Sequence, residues 1–348
     1  MKRILFILKN TNYGNYPGKA SGLRCSAQFV SDMLNDLGFV SEVVIVTDNN
    51  DIDREVTRFA ANVAIIEALW VVPEKFDILK KLHPTVEWVV RLHSELPFLA
   101  NEGISIDWIR GYTERDVRVA FNSYRTYADF VSLGFYPFYL PNYYPKLTPA
   151  AKAVQQTPGL LNVGCFGAIR PLKNQFTQAV AAIDYAESKG LYLKFHMNIG
   201  RVEDHGASVL KSIKSLFAFG NRELIQHGWY DHDNFLFLLD QMDIALSVSF
   251  TETFSIVTAD AVSRRIPIVT SPEVTWADPD VMATPTDAYT ITQKMDLVLR
   301  KAKKYTDSNL LRLHNFSSSA AIWWQDELLG KPKSIEEPVK PWWRRLFS

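Results

Sequence analysis

Cysteine is scarce: Cys25 and Cys165 are the only two in 348 residues, and they stand far apart. That excludes a disulfide framework and a cysteine-built metal site, and it fits a reducing, cytosolic setting. Neither charge is in excess. Lys and Arg total 38 and Asp and Glu total 38, so the net charge is zero. A generic nucleic-acid binder carries a basic surplus, so only a local basic groove would serve that role here. No apolar run is long enough to cross a bilayer. The N-terminal MKRILFILK lacks the apolar length and cleavage site of a secretory signal and reads as a buried first strand. The tight G-x-G-x-x-G fingerprint is missing from the following loop, residues 9–22. Its absence argues against a dinucleotide-dependent oxidoreductase or epimerase.

What remains is an ordinary globular composition, 47% hydrophobic and 22% charged, at a length that suits two domains. Apolar runs alternate with helical patterns. Strands are expected at 3–9, 42–47, 63–67, 86–92, 117–121 and 138–140, with helices such as 21–37 and 73–82 between them. In the first helix Leu23, Ala27, Val30, Leu34 and Leu37 recur every three or four residues and form one apolar face. Pro141, Pro145, Pro149 and Pro158 then break the pattern. A second alternation has strands at 160–166, 191–197, 223–227, 243–249 and 266–270, and helices at 174–188, 207–219, 233–241 and 254–263. The pattern predicts an α/β protein with two doubly wound, Rossmann-like domains facing a central cleft. The boundaries read as a first domain at 1–148, a linker at 149–158 and a second domain at 159–308. A closing helix and tail at 309–348 would pack back toward the first domain, with Trp323 and Trp324 as core. The tail from Lys331 holds five basic residues and two acids, a local charge of +3, together with Trp342, Trp343 and Phe347.

The densest chemistry lies in residues 243–270. Glu252 and Asp260 stand eight apart around an expected helix start, a little over two turns, so both can share one side. Free N–H groups at Thr253, Phe254 and Ser255 would attract phosphate. Glu252 would then take donor-sugar hydroxyls and Asp260 the ribose hydroxyls. The plainer reading, compatible with this one, makes Thr251 or Thr253 an N-cap and Glu252 a first-turn acid. Upstream, the segment GCFGAIRPLKNQ sets Arg170 and Lys173 between a strand end and a helix. Cations there can neutralise a diphosphate, or can simply sit on a solvated turn. His93 directly follows an apolar strand, at the edge where doubly wound sheets bind ligands, although a lone histidine is more often structural. Three acidic clusters, at 51–53, 231–233 and 278–280, read as N-cap, helix-start or loop acids, so no metal is assigned.

In this order the pieces resemble retaining glycosyltransferases of the GT-B fold, nucleotide-sugar enzymes that include sucrose-phosphate and lipopolysaccharide synthases. The family's G-R-L-x-x-x-K-G corresponds to residues 167–174, with Lys173 at the diphosphate lysine. Ala168 stands at the family's arginine, and Arg170 is the substitute from the next turn. The E-x7-E motif reads from Glu252 to Asp260, and E-x-F-G reads Glu252-Thr253-Phe254-Ser255. The A-x-x-x-x-P-V signature has a looser counterpart from Ala261 to Ile268, with five residues before Pro267 and Ile for Val; Pro141-Asn142 matches the pair that closes the first domain, and His93 matches an active-site histidine. The phrase RLHSELPFLANEG also resembles glycosyltransferases of tailed bacteriophages, which would place the protein in the cytoplasm of a host bacterium.

The resemblance implies transfer of a sugar from a nucleotide sugar, UDP favoured, with retention of configuration. Glu252 and His93 would be catalytic; Arg170, Lys173, Thr253, Phe254, Ser255 and Asp260 would hold the donor. No metal or other cofactor is required, because fixed cations neutralise the leaving group. The acceptor would enter along Tyr13, Gly14 and Ser21. Ala168 and Ser255, the departures from the pattern, leave open a sugar- or nucleic-acid-binding protein without turnover. The acceptor also stays open. A hydroxymethylated base in phage DNA would need a basic groove, drawn from Arg110, Arg115, Arg118 and the tail. A lipopolysaccharide or cell-surface glycan would put Trp342 and Trp343 at a membrane surface.

Overall fold

The computed structural model describes residues 1–10, 22–146, 157–203 and 205–330. Two all-parallel sheets carry the fold. The first contains β1 (Arg3–Lys9), β2 (Val40–Val46), β3 (Val63–Glu67), β4 (Glu87–Leu92), β5 (Arg118–Phe121) and β6 (Phe138–Tyr139), in the order β2-β1-β3-β4-β5-β6. The second contains β7 (Leu160–Gly164), β8 (Tyr192–Asn198), β9 (Arg222–His227), β10 (Ile244–Ser247) and β11 (Ile268–Thr270), in the order β11-β10-β7-β8-β9. All eleven lie where the apolar runs place them. The runs are nearly continuous because a parallel sheet covered on both faces has no wet side to encode. Strand β11 starts later than expected. Pro267 has no N–H to donate and takes part only by accepting from Ala245 N at 2.8 Å.

Helices cover both faces of each sheet. In the first half they are α1 (Gly22–Asp36), α2 (Asp51–Phe59), α3 (Lys75–Leu82), α4 (Leu96–Leu99), α5 (Ser105–Thr113) and α6 (Tyr124–Ser132). In the second they are α7 (Gln175–Lys189), α8 (Gly206–Leu216), α9 (His232–Leu239), α10 (Ile256–Ser263) and α11 (Ala288–Arg300). The closing helix α12 (Ala302–Leu329) begins seven residues before the expected Asn309. Its first half packs on the second sheet's helices through Tyr305 and Leu313. Its last turns place Trp324 and Leu328 in the core above β1, beside Ala27 and Val30 of α1. Trp324 is fully buried and donates its indole N–H to Pro141 O at 2.8 Å, while Trp323 is half-buried against Tyr139. The helix therefore straps the two halves together. The tail with Trp342 and Trp343 lies outside the described residues.

Two of the acidic clusters supply caps and the third a helix-start acid. Asp231 accepts from Asn234 N at 2.9 Å at the start of α9, Asp278 caps a short 3-10 turn, and Asp51 opens α2. Among the described residues, no group of three His, Cys, Asp or Glu could hold a metal. Nor is any described helix long and apolar enough to cross a membrane.

One pair in the second sheet makes stability depend on pH. His196 on β8 stacks on His227 at the end of β9, 3.0 Å between ring nitrogens. Burial, with His227 and Lys194 nearby, pushes His196 down to about 4 from the usual 6.5. Its folded pKa lies below its unfolded one, so the unfolded chain binds the extra proton first. Its contribution is complete above pH 6.5 and is lost as pH falls toward 4. Melting curves of wild type and His196→Gln should therefore converge over that acid window and run parallel above it.

Candidate active site

In a doubly wound sheet the ligand crevice opens beyond the strand ends where the strand order reverses. The first sheet reverses between β1 and β3, the second between β7 and β10. Both reversal points face one cleft of about 490 Å³. Lys9, Glu67 and His93 come to it from the first sheet's strand ends; Gly167, Ala168, Lys173 and Glu252 come from the second's.

On the second-domain wall Lys173 Nζ and Glu252 Oε1 form a short ion pair, and Ser249 Oγ donates to the same carboxylate at 3.1 Å. Arg170 reaches Glu203 Oε2 at 3.4 Å and lies over the Phe98 ring of the first domain. The sequence motif thus brings Arg170, Lys173, Glu252, Thr253, Ser255 and Asp260 to one cleft.

The helix start is where the structure departs from expectation. Helix α10 begins at Ile256, not at Phe254, so the free N–H groups of its first turn belong to Ile256 and Val257, both at the cleft. Ser255 sits at φ +64°, in the left-handed region, and cannot be part of the helix. It is the N-cap instead. Its Oγ accepts from Thr258 N at 3.3 Å and bonds the Thr258 and Ser247 hydroxyls, which offsets a conformation that glycine would adopt freely. Neither Thr251 nor Thr253 caps the helix. Phe254 does not line the cleft: its ring is buried against Trp276 and Phe316. An aromatic ring after the loop is anchored by apolar burial, and this one pins the Glu252 segment from behind.

Asp260 faces the cleft from the second turn of α10 but is almost wholly buried. Tyr144 Oη donates to its Oδ1 at 2.8 Å, and His232 Nε2 is 2.7 Å from the same oxygen. Burial alone would lower His232; the Asp260 carboxylate outweighs it and raises the imidazole above its usual range.

On the first-domain wall lies a buried polar network that the sequence reading did not anticipate. Glu67, Arg91 and Asn142 are almost inaccessible. Arg91 Nη1 donates to Glu67 Oε1 at 3.0 Å; its other nitrogens bond the carbonyls of Leu140 and Pro141 and Asn142 Oδ1. His93 fits into this network at both nitrogens. Nε2 makes a short contact to Glu67 Oε2, and Asn122 Nδ2 lies 3.1 Å from Nδ1. Burial and the nearby Arg91 keep the imidazole below its usual pKa despite the pull of Glu67. A neutral ring with this surround carries its proton on Nε2. His93 is thus a cleft residue, oriented from both sides.

The two walls are tied directly. Asn122 Nδ2 donates to Thr253 Oγ1 at 2.9 Å. Arg125 Nη2 on α6 bonds Glu95 at 2.8 Å, Glu273 at 2.9 Å and the Glu252 carbonyl at 3.3 Å. The Glu252 loop is therefore held from across the cleft. Tyr13, Gly14 and Ser21, the expected acceptor loop, lie outside the described residues; Lys9 and Gly22 both line the cleft. The three arginines considered for a basic groove are each matched by acids: Arg110 by Asp107, Arg115 by Asp77, and Arg118 by Glu87 and Glu327.

The architecture is the GT-B fold: two parallel, doubly wound sheets around a central cleft, matched by known structures along the whole chain. A sucrose-phosphate synthase from Thermosynechococcus elongatus superposes with a TM-score of 0.70 at 14% identity, covering 100% of this chain and 99% of that one. A UDP-forming α,α-trehalose-phosphate synthase from Burkholderia xenovorans gives 0.65 at 11% identity, covering 94% and 98%. A trehalose-6-phosphate synthase studied for glycosyl transfer with retention gives 0.59 at 10%, covering 80% and 76%. No protein-family model matches the sequence, and no curated protein matches it.

Proposed function

We propose that this chain is a glycosyltransferase that moves a sugar from a nucleotide sugar, UDP favoured, to an acceptor hydroxyl with retention. The observation that carries the reading is the meeting of Lys173, Glu252, the α10 N-terminus and His93 in one cleft, at the reversal points of both sheets. In this reading the departing diphosphate gains negative charge. Lys173, Arg170 and the N–H groups of Ile256 and Val257 stabilise that charge as it forms, so no metal is required. Glu252, released from Lys173 as the phosphate takes the cation, orients the transferred sugar. His93 lies across the cleft, where the anomeric carbon would come. Asp260 holds the ribose from the second turn of α10. The likeness to UDP-forming and retaining synthases supports the donor and the stereochemistry.

Nucleotide release from a panel of UDP-, GDP- and ADP-sugars tests the reading. The expected result is release from a UDP-sugar, rising when the right acceptor is added. Sugar phosphates, lipopolysaccharide and DNA carrying hydroxymethylated pyrimidines are the arms that separate acceptor classes. Binding of a donor without any release would make the protein a binding module, and no binding at all would sink the proposal.

A further inference from the structure

We infer that Arg201 is a second phosphate-binding arginine of the cleft, set beside Arg170. The inference rests on the donor reading above. After β8 the chain forms an isolated parallel bridge with the turn after β7, pairing Val202 with Ile169. Ile169 N donates to Arg201 O and Glu203 N donates to Ile169 O, each at 2.9 Å. In extended chain, side chains alternate between faces. Pairing 169 with 202 therefore puts Ala168 and Arg201 side by side, and Arg170 beside Glu203, all on one face. That face is the cleft wall, which all four residues line.

The approach is enforced by Gly206. A β-carbon there would lie 2.0 Å from Ile169 O, so no other residue lets α8 start so close to the turn. The loop is thereby stitched to the phosphate-side wall. Glu203 forms ion pairs with both arginines and sets their guanidinium groups together. Aromatic planes back them, Phe98 behind Arg170 and Trp229 behind Arg201. Arg170 Nε is buried without a partner among the described residues, so Arg170 keeps donor capacity for a ligand.

Charge gives the reason a second arginine matters. Arg170 and Lys173 stand on this wall among four carboxylates, Glu203, Asp231, Glu252 and Asp260, and Arg201 supplies a third cation. A guanidinium also offers a planar fork to phosphate oxygens, which lysine does not.

The experiment is calorimetric titration of the full chain with UDP, and then with inorganic phosphate after UDP saturation. The variants are Arg201→Ala, Arg201→Lys and Lys173→Ala, each checked for an unchanged melting curve. Arg201→Ala should weaken one probe by about 10- to 100-fold, and Arg201→Lys should recover part of the loss. Loss on the UDP arm assigns the donor diphosphate; loss on the phosphate arm alone assigns a second, acceptor-side phosphate. If Lys173→Ala loses UDP while Arg201→Ala binds both probes as wild type does, the donor reading stands and this inference falls. A wild type that binds no UDP removes the donor reading itself.

Discussion

Lys173→Ala should lower nucleotide release by about 100-fold or more without unfolding the protein. Among the described residues the lysine is the one cation on the second-domain wall that pairs with Glu252, and its side chain is 18% exposed, so the cleft can take the truncation. Two losses then coincide. The diphosphate leaves with one fixed positive partner fewer, in a site where water cannot replace it at the moment of bond cleavage. Glu252, only 9% exposed, keeps just the Ser249 hydroxyl and the loop contacts around it, so its orientation toward the sugar loosens. Lys173→Arg should retain more activity than alanine, since the charge stays. Initial rates of nucleotide release at saturating donor, compared with the dissociation constant for UDP, separate the two losses. A large fall in rate with a smaller fall in UDP affinity places the lysine's action in the transition state. A fall of less than about tenfold would mean that the leaving charge is carried elsewhere in the cleft.

The second-domain wall of the cleft was readable because its residues are close in sequence. Glu252 and Asp260 lie on one loop and one helix, and Arg170 and Lys173 lie on one turn, so spacing alone brings each pair together. The strands were readable for a similar reason, since continuous apolar runs of four to seven residues have few other uses in a parallel sheet. The helix start was misplaced because local signals competed. Thr251, Thr253 and Ser255 are all eligible caps, and only the left-handed backbone at Ser255 decides between them. The first-domain network was missed because its members come from three strands and the segment after β6. A signal did exist: Arg91 stands inside the apolar run WVVRL, and a charge in a strand buried on both faces must find a partner. What the sequence could not say is which acid meets it, because β3 and β4 are brought into register only by the sheet.

Glu67→Gln should destabilise the protein by about 3–5 kcal/mol at neutral pH, the largest stability effect expected of a single polar substitution here. Glu67 and Arg91 are both fully buried, and each is placed by parallel pairing, Glu67 directly across from Arg91. Removing the carboxylate's charge leaves the guanidinium with two backbone carbonyls and Asn142 Oδ1, none of them anionic. An uncompensated buried charge is what makes breaking such a pair costly; replacing both partners by apolar residues of similar size should recover much of the loss. The pH dependence follows from the sign of the shift. Burial pushes the Glu67 carboxyl up, but Arg91 and His93 together hold it below its usual 4.5. Its contribution is therefore fully present above pH 4.5 and is lost only as pH falls through the lower folded value. Denaturant unfolding should accordingly show a wide gap between wild type and Glu67→Gln at pH 7, closing in strong acid. His93 supplies an independent readout. Glu67 pulls its pKa upward against burial and Arg91, so the glutamine should drive it lower still, and the ring should stay neutral further into acid in an NMR titration. A variant that unfolds like wild type at pH 7, with His93 unmoved, would mean that the ion pair does not hold this wall of the cleft.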